Sequence, residues 1–142
     1  MIKNICVLVF CVCFAFSLKA ADASDLDKVQ GKWEFKKTTA EGDKITQRIE
    51  INKDKLTFKI LGASGNLRFF AVAKLKADKV GPFNVLKVSD IKAGETESDM
   101  SSIDDDRITI YQLREGKMFL ASNFEKERDE DPEVEAYEKV SK

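Results

Sequence analysis

The 142-residue chain predicts an all-β domain. The expected form is an antiparallel barrel of about eight strands after a short N-terminal helical turn, with a β-sandwich as the runner-up. Three observations carry this reading. Apolar residues recur with a period of two, turn-forming residues punctuate the chain at short intervals, and no long stretch after the N-terminus holds a 3.6-residue period.

Residues 1–23 stand apart from that domain. Lys3 gives a basic start, Ile5 to Leu18 form an apolar run, and the small residues Ala20, Ala21 and Ala23 follow. This is the pattern of a secretory signal peptide, with cleavage after Ala20 or Ala23. The run falls short of the ~20 residues that span a bilayer, so no stable membrane span is expected. Neither Cys11 nor Cys13 follows the small residue that precedes an acylated cysteine. The domain is therefore assigned to residues 24–142, and its location to the periplasm or the extracellular space. Cys6, Cys11 and Cys13 all leave with the signal, so stability must come from the core rather than from disulfides.

The elements follow in order. Ser24 or Asp25 caps a helical turn that places Leu26 and Val29 on one face. Gly31 releases the chain into a strand carrying Trp33, Phe35 and Lys37 on one side. Ile45, Gln47, Ile49 and Ile51 share the face of a second strand. After a turn at Asn52-Lys53-Asp54, Leu56, Phe58 and Ile60 repeat the alternation. From Leu67 to Leu75 the pattern is two-sided, since Phe70 and Val72 oppose the main face; either both faces are covered or the strand bulges. Gly81-Pro82 precedes a strand over Phe83 to Val88. Arg107 to Leu113 and Lys117 to Ser122 form a hairpin about Arg114-Glu115-Gly116, and Glu135 to Val140 closes the set, pairing with the first strand. Gly94 to Asp106 and Glu125 to Glu133 are polar and are expected as loops.

Gly31-Lys32-Trp33, following the helical turn, resembles the Gly-x-Trp signature of lipocalins and other calycins. More closely, the chain resembles the small exported lipocalin-like domains abundant in planctomycete bacteria, through LDKVQGKWEF, GPFNVLKVSD, RITIYQLREGKMFLASN and EAYEKV in that order. It departs from them at Asp90, which follows Val88-Ser89. Ala121-Ser122 stands where a cysteine is frequent, and Glu125 to Glu133 replaces a Pro-rich connection. The resemblance implies a lipocalin-like barrel, export and small-ligand binding. It also implies that Trp33 plugs the closed end beneath a basic side chain, Lys139 or else Arg128, making Gly31, Trp33 and Lys139 a structural motif.

The available chemistry is narrow. The absence of histidine removes Ser-His-Asp catalysis and histidine metal sites. The exported domain has no thiol, and Gly62-Ala63-Ser64-Gly65 lacks the lysine and helix of a phosphate loop. Asp104, Asp105 and Asp106 are the densest acids, but consecutive carboxylates point apart and lack calcium-loop spacing, so they offer a weak cation contact at most. No enzyme activity, metal or cofactor is expected. Both signs of charge are interspersed, without the basic stripe of a nucleic-acid surface.

An eight-stranded barrel either fills its interior or holds one small ligand. The expectation is a small apolar ligand among Phe35, Phe58, Phe69, Phe83, Tyr111 and Phe119, with Tyr111 as the polar handle. The alternative is a filled barrel acting on an exported protein partner, as interaction module or inhibitor, through the Gly62–Gly65 or Gly94–Asp106 segments.

Overall fold

The computed structural model describes residues 22–125 and 127–141. The expected signal peptide up to Ala21, with its three cysteines, lies outside the described residues. The chain runs through α1 (Asp22–Lys28), β1 (Gly31–Thr38), β2 (Lys44–Asn52), β3 (Lys55–Leu61), β4 (Leu67–Val80), β5 (Phe83–Thr96), β6 (Asp99–Ile103), β7 (Arg107–Arg114), β8 (Lys117–Ser122) and β9 (Glu133–Lys139).

Antiparallel pairing proceeds β4-β3-β2-β1-β9-β8-β7-β5, and β5 returns to β4. Eight strands thus close a ring, which excludes the sandwich. Closure gives every ring strand a neighbour on both sides, which reduces the edge free to pair with another chain. The seam between β1 and β9 is its shortest join: Trp33 pairs with Lys139 and Glu34 with Glu138, extended by the Val140 amide donating to the Lys32 carbonyl at 2.9 Å.

The ninth strand corrects an expectation. Gly94 to Asp106 is largely hairpin rather than loop, because β5 continues to Thr96 and β6 pairs back onto Ile91–Thr96. Further along the same edge of β5, β7 takes over at Val85–Val88. Strands β6 and β7 are in effect one rail interrupted at Asp104-Asp105-Asp106. The hairpin escapes a hydrophobic-period reading because β6 is mostly exposed. Its backbone bonds to β5 need no apolar side chains.

Alternation places the core. Ile45, Gln47, Ile49 and Ile51 are buried along β2 with less buried residues between them. The two-sided pattern in β4 has a geometric cause. Register shifts occur where Ile60 and Leu61 of β3 meet it and where Val72 and Lys74 meet β5. In the second, Asp90 adopts φ 51°, the left-handed conformation in which a short polar residue is tolerated. Phe70 faces away from the interior yet is buried. It pairs with Lys59 and Gly94, and the Lys59 ammonium stands 5.1 Å from its ring centroid, itself bonded to Glu97 at 3.1 Å.

Candidate functional site: a cavity in the barrel with polar groups in its wall

One end of the barrel is plugged. Leu26 and Val29 pack into a core with Trp33, Ile51, Leu75 and Leu86. The Trp33 indole donates from Nε1 to the Val29 carbonyl at 2.9 Å, and the Lys139 ammonium lies 5.1 Å from its ring centroid. Gly31 makes room for that lysine. Its φ is 111°, and a Cβ there would stand 3.3 Å from Lys139 Cε. Arg128, the other basic residue considered for this cover, sits at the opposite end. Tyr111 belongs to the plugged core rather than to a ligand pocket. Burial there, reinforced by the Asp25 carboxylate, raises the pKa of its phenol.

Beyond the plug the interior is not filled. A cavity of about 330 Å³ runs between Leu75 and Met118 at its depth and Asp105, Arg107, Glu130 and Glu133 at its mouth. Its walls are apolar: Ile49, Phe58, Phe69, Val88 and Leu120. Phe58 and Phe69 meet edge to face with centroids 6.1 Å apart. The volume falls at the small end of the ~300–1,000 Å³ range of ligand pockets.

Of the six aromatic residues expected around a ligand, Phe58 and Phe69 line this cavity and the other four do not. Phe35 turns inward but packs on the Tyr137 ring, 5.6 Å between centroids, as part of the surrounding core. Tyr111 is in the plug. Phe119 falls between Met118 and Leu120, the β8 residues that face the cavity, and so points to the outer side. Phe83 is 54 % exposed at the β4–β5 turn. Period alone marks a residue as inward without saying how high in the barrel it sits, and for Phe83 and Phe119 the face itself was misjudged.

The polar groups of the cavity were not anticipated. Gln47, 7 % exposed, is the buried polar residue among the described residues. It lines the cavity together with Tyr137 and Glu135. The Tyr137 hydroxyl bonds to the Gln47 carboxamide and lies 2.8 Å from Glu135 Oε2. Burial raises the Tyr137 pKa strongly, and the Glu135 charge adds to it, so the phenol keeps its proton. From β1, Lys37 reaches Glu135 Oε1 at 3.1 Å and Glu133 at 3.7 Å. Burial opposes the Lys37 charge, but the hydrogen bond and charge of Glu135, aided by Glu133, outweigh it and raise the ammonium pKa. The sequence did contain a signal for this cluster: a glutamine on the buried period of β2, between Ile45 and Ile49.

The acidic triplet does not converge on one point. Asp105 turns to the barrel mouth and binds Arg128 Nη1 at 2.8 Å and Arg107 at 3.0 Å. Asp104 and Asp106 line a separate outer groove with Lys74 and Lys92. Among the described residues, no group of three or more metal-ligating side chains comes together. Arg128 also binds Glu125 at 3.1 Å and the Asp106 carbonyl at 3.1 Å, which pins the charged β8–β9 connection beside the mouth. The Arg128 hydrogen bond, aided by Arg107, holds the Asp105 carboxyl below its usual pKa.

Among the described residues no helix is long and apolar enough to cross a membrane. The architecture is an antiparallel closed barrel of eight ring strands, consistent with the calycin or lipocalin-like form. No family model matches the chain, and no curated protein and no solved structure matches it either.

Proposed function

We propose that this protein is an exported, non-catalytic barrel that carries one small, largely apolar ligand inside. The observation that carries the reading is the cavity of about 330 Å³ with walls built from Phe58, Phe69, Val88 and Leu120. An unfilled apolar space loses packing contacts, at ~24 cal/mol per Å³ in measured cases. A ligand restores those contacts, and this gives the cavity an affinity for apolar molecules. Export, and kinship with the exported lipocalin-like domains of planctomycetes, belong to the same proposal and rest on the N-terminal apolar run and the segment resemblances.

The reading is tested with N-phenyl-1-naphthylamine, whose fluorescence rises in apolar surroundings. The wild-type protein is expected to bind it and Ala73→Trp, which fills the cavity from β4, to lose it while keeping the far-ultraviolet circular dichroism of the barrel. Equal binding by both proteins, or none by the wild type, overturns the proposal. A filled barrel gripping a partner through its loops is the weaker reading, since the interior has room and Gly94–Asp106 is mostly paired strand.

A further inference from the structure

Gln47, Tyr137 and Glu135 form a chain of three hydrogen-bonding groups in the cavity wall, and proton counting decides which way it runs. Tyr137 Oη stands within bonding distance of both the Gln47 carboxamide and Glu135 Oε2. A phenol has one proton, and a carboxylate has none to give. The proton goes to Glu135, because a hydrogen bond to a charged acceptor is roughly twice as strong as one to a neutral group. Tyr137 Oη must then accept from Gln47. A carboxamide supplies that donor by a half-turn that exchanges its oxygen and nitrogen. With one Nε2–H given to Tyr137, the reoriented Gln47 carbonyl has no hydrogen-bond partner among the described residues. It takes the place that Nε2 leaves, and since no fully enclosed side-chain polar atom among the described residues lacks a partner, that place is open, on a residue that lines the cavity.

Gln47 therefore offers a ligand an unpaired acceptor. The mouth above it is acidic as well. Asp105, Glu130, Glu133 and Glu135 face the cavity against Arg107. Lys37 and Arg128 add two cations and Glu125 a further carboxylate. Negative charge still exceeds positive. An anionic head would meet like charge at the rim and an acceptor inside, whereas a protonated amine meets complementary groups at both levels.

We infer that the ligand is an amphiphilic amine: an apolar body between Phe58, Phe69 and Leu120, and an ammonium head donating to the Gln47 carbonyl beneath the acidic mouth. This rests on the carrier reading above and specifies its ligand class.

The test uses the chain expressed with its own leader and three probes that share one apolar body: decylamine, 1-decanol and decanoate, compared by calorimetry at pH 7. Decylamine is expected to bind at least about tenfold more tightly than 1-decanol, the size of one charge-assisted hydrogen bond, and decanoate more weakly than either. Gln47→Leu is expected to erase the preference for amine over alcohol. Should that variant fail to fold, Glu130→Gln with Glu133→Gln at the exposed rim serves instead, lowering decylamine affinity several-fold and leaving 1-decanol unchanged. Decanoate binding as tightly as decylamine, or rim and Gln47 variants that leave the amine preference intact, overturns the amine assignment while the carrier reading survives. If neither the three decyl probes nor N-phenyl-1-naphthylamine binds, the carrier reading falls with it.

Discussion

Trp33 links the helical turn, the first strand and the end of the chain. Its ring is buried, its Nε1–H is spent on the Val29 carbonyl, and its exposed edge is covered by Lys139. These contacts have different weights. Trp33→Ala removes a large buried aromatic and is expected to cost about 3–5 kcal/mol in urea unfolding. Trp33→Phe keeps most of the packing but strands a buried carbonyl, for about 1–3 kcal/mol. Lys139→Ala loses a half-exposed cation–ring contact worth only about 0.5–1 kcal/mol. The ranking Ala, then Phe, then the lysine variant tests whether Trp33 is chiefly a plug. Gly31-x-Trp33 was legible in the sequence as a plug motif. The Gln47–Tyr137–Glu135 chain was not, since it joins residues 90 positions apart whose side chains meet only once β9 has closed against β1.

At the scale of elements, two local features hold the rim. The β5–β6 hairpin depends on Gly94, where a Cβ would lie 1.7 Å from the Asp99 carbonyl oxygen. That oxygen is backbone and has nowhere to retreat. Gly94→Ala is expected to release β6, so hydrogen exchange at Asp99–Ile103 accelerates while β1–β3 keep their protection. Unchanged protection in β6 would show that the approach is not tight in solution. The second feature is Arg128, which ties the β8–β9 connection to Asp105. Because Arg128 depresses the Asp105 pKa in the folded protein, this tie is fully present above the unfolded carboxylate pKa of ~3.9 and is lost as the pH falls through the lower folded value. Protection of residues 123–125 and 127–131, taken relative to the intrinsic exchange rate at each pH, is therefore expected at neutral pH and lost in that acid window. Arg128→Gln should lack this protection throughout; a variant that keeps the wild-type profile refutes the tie. The polar composition of both segments had suggested free loops. Neither a backbone-paired hairpin with exposed side chains nor a single arginine bridging 23 positions leaves a periodic trace.

For the whole molecule, the ring is only as strong as its last join. Eight register pairs hold β1 to β2, whereas two hold β1 to β9. Closure also unites the most distant parts of the chain, which carries the largest ordering cost. The amides on the β1–β9 seam are expected to exchange faster than those between β1 and β2, measured on the native protein at pH 7. Equal protection would mean that the barrel opens only by global unfolding.

Sequence by itself determined the all-β class, the helical turn and most strand positions, because alternation and turn residues are short-range properties written along the chain. It also excluded histidine chemistry, which needs only a composition. Tertiary structure decided how many strands close the ring, that β6 shares an edge with β7, and which inward residues face a cavity rather than a plug. Those outcomes depend on strand tilt, on the bulge at Asp90 and on the height each side chain reaches inside the barrel. A period of two carries no information about height, which is why Phe58 and Tyr111 read alike in the sequence and lie in different parts of the interior.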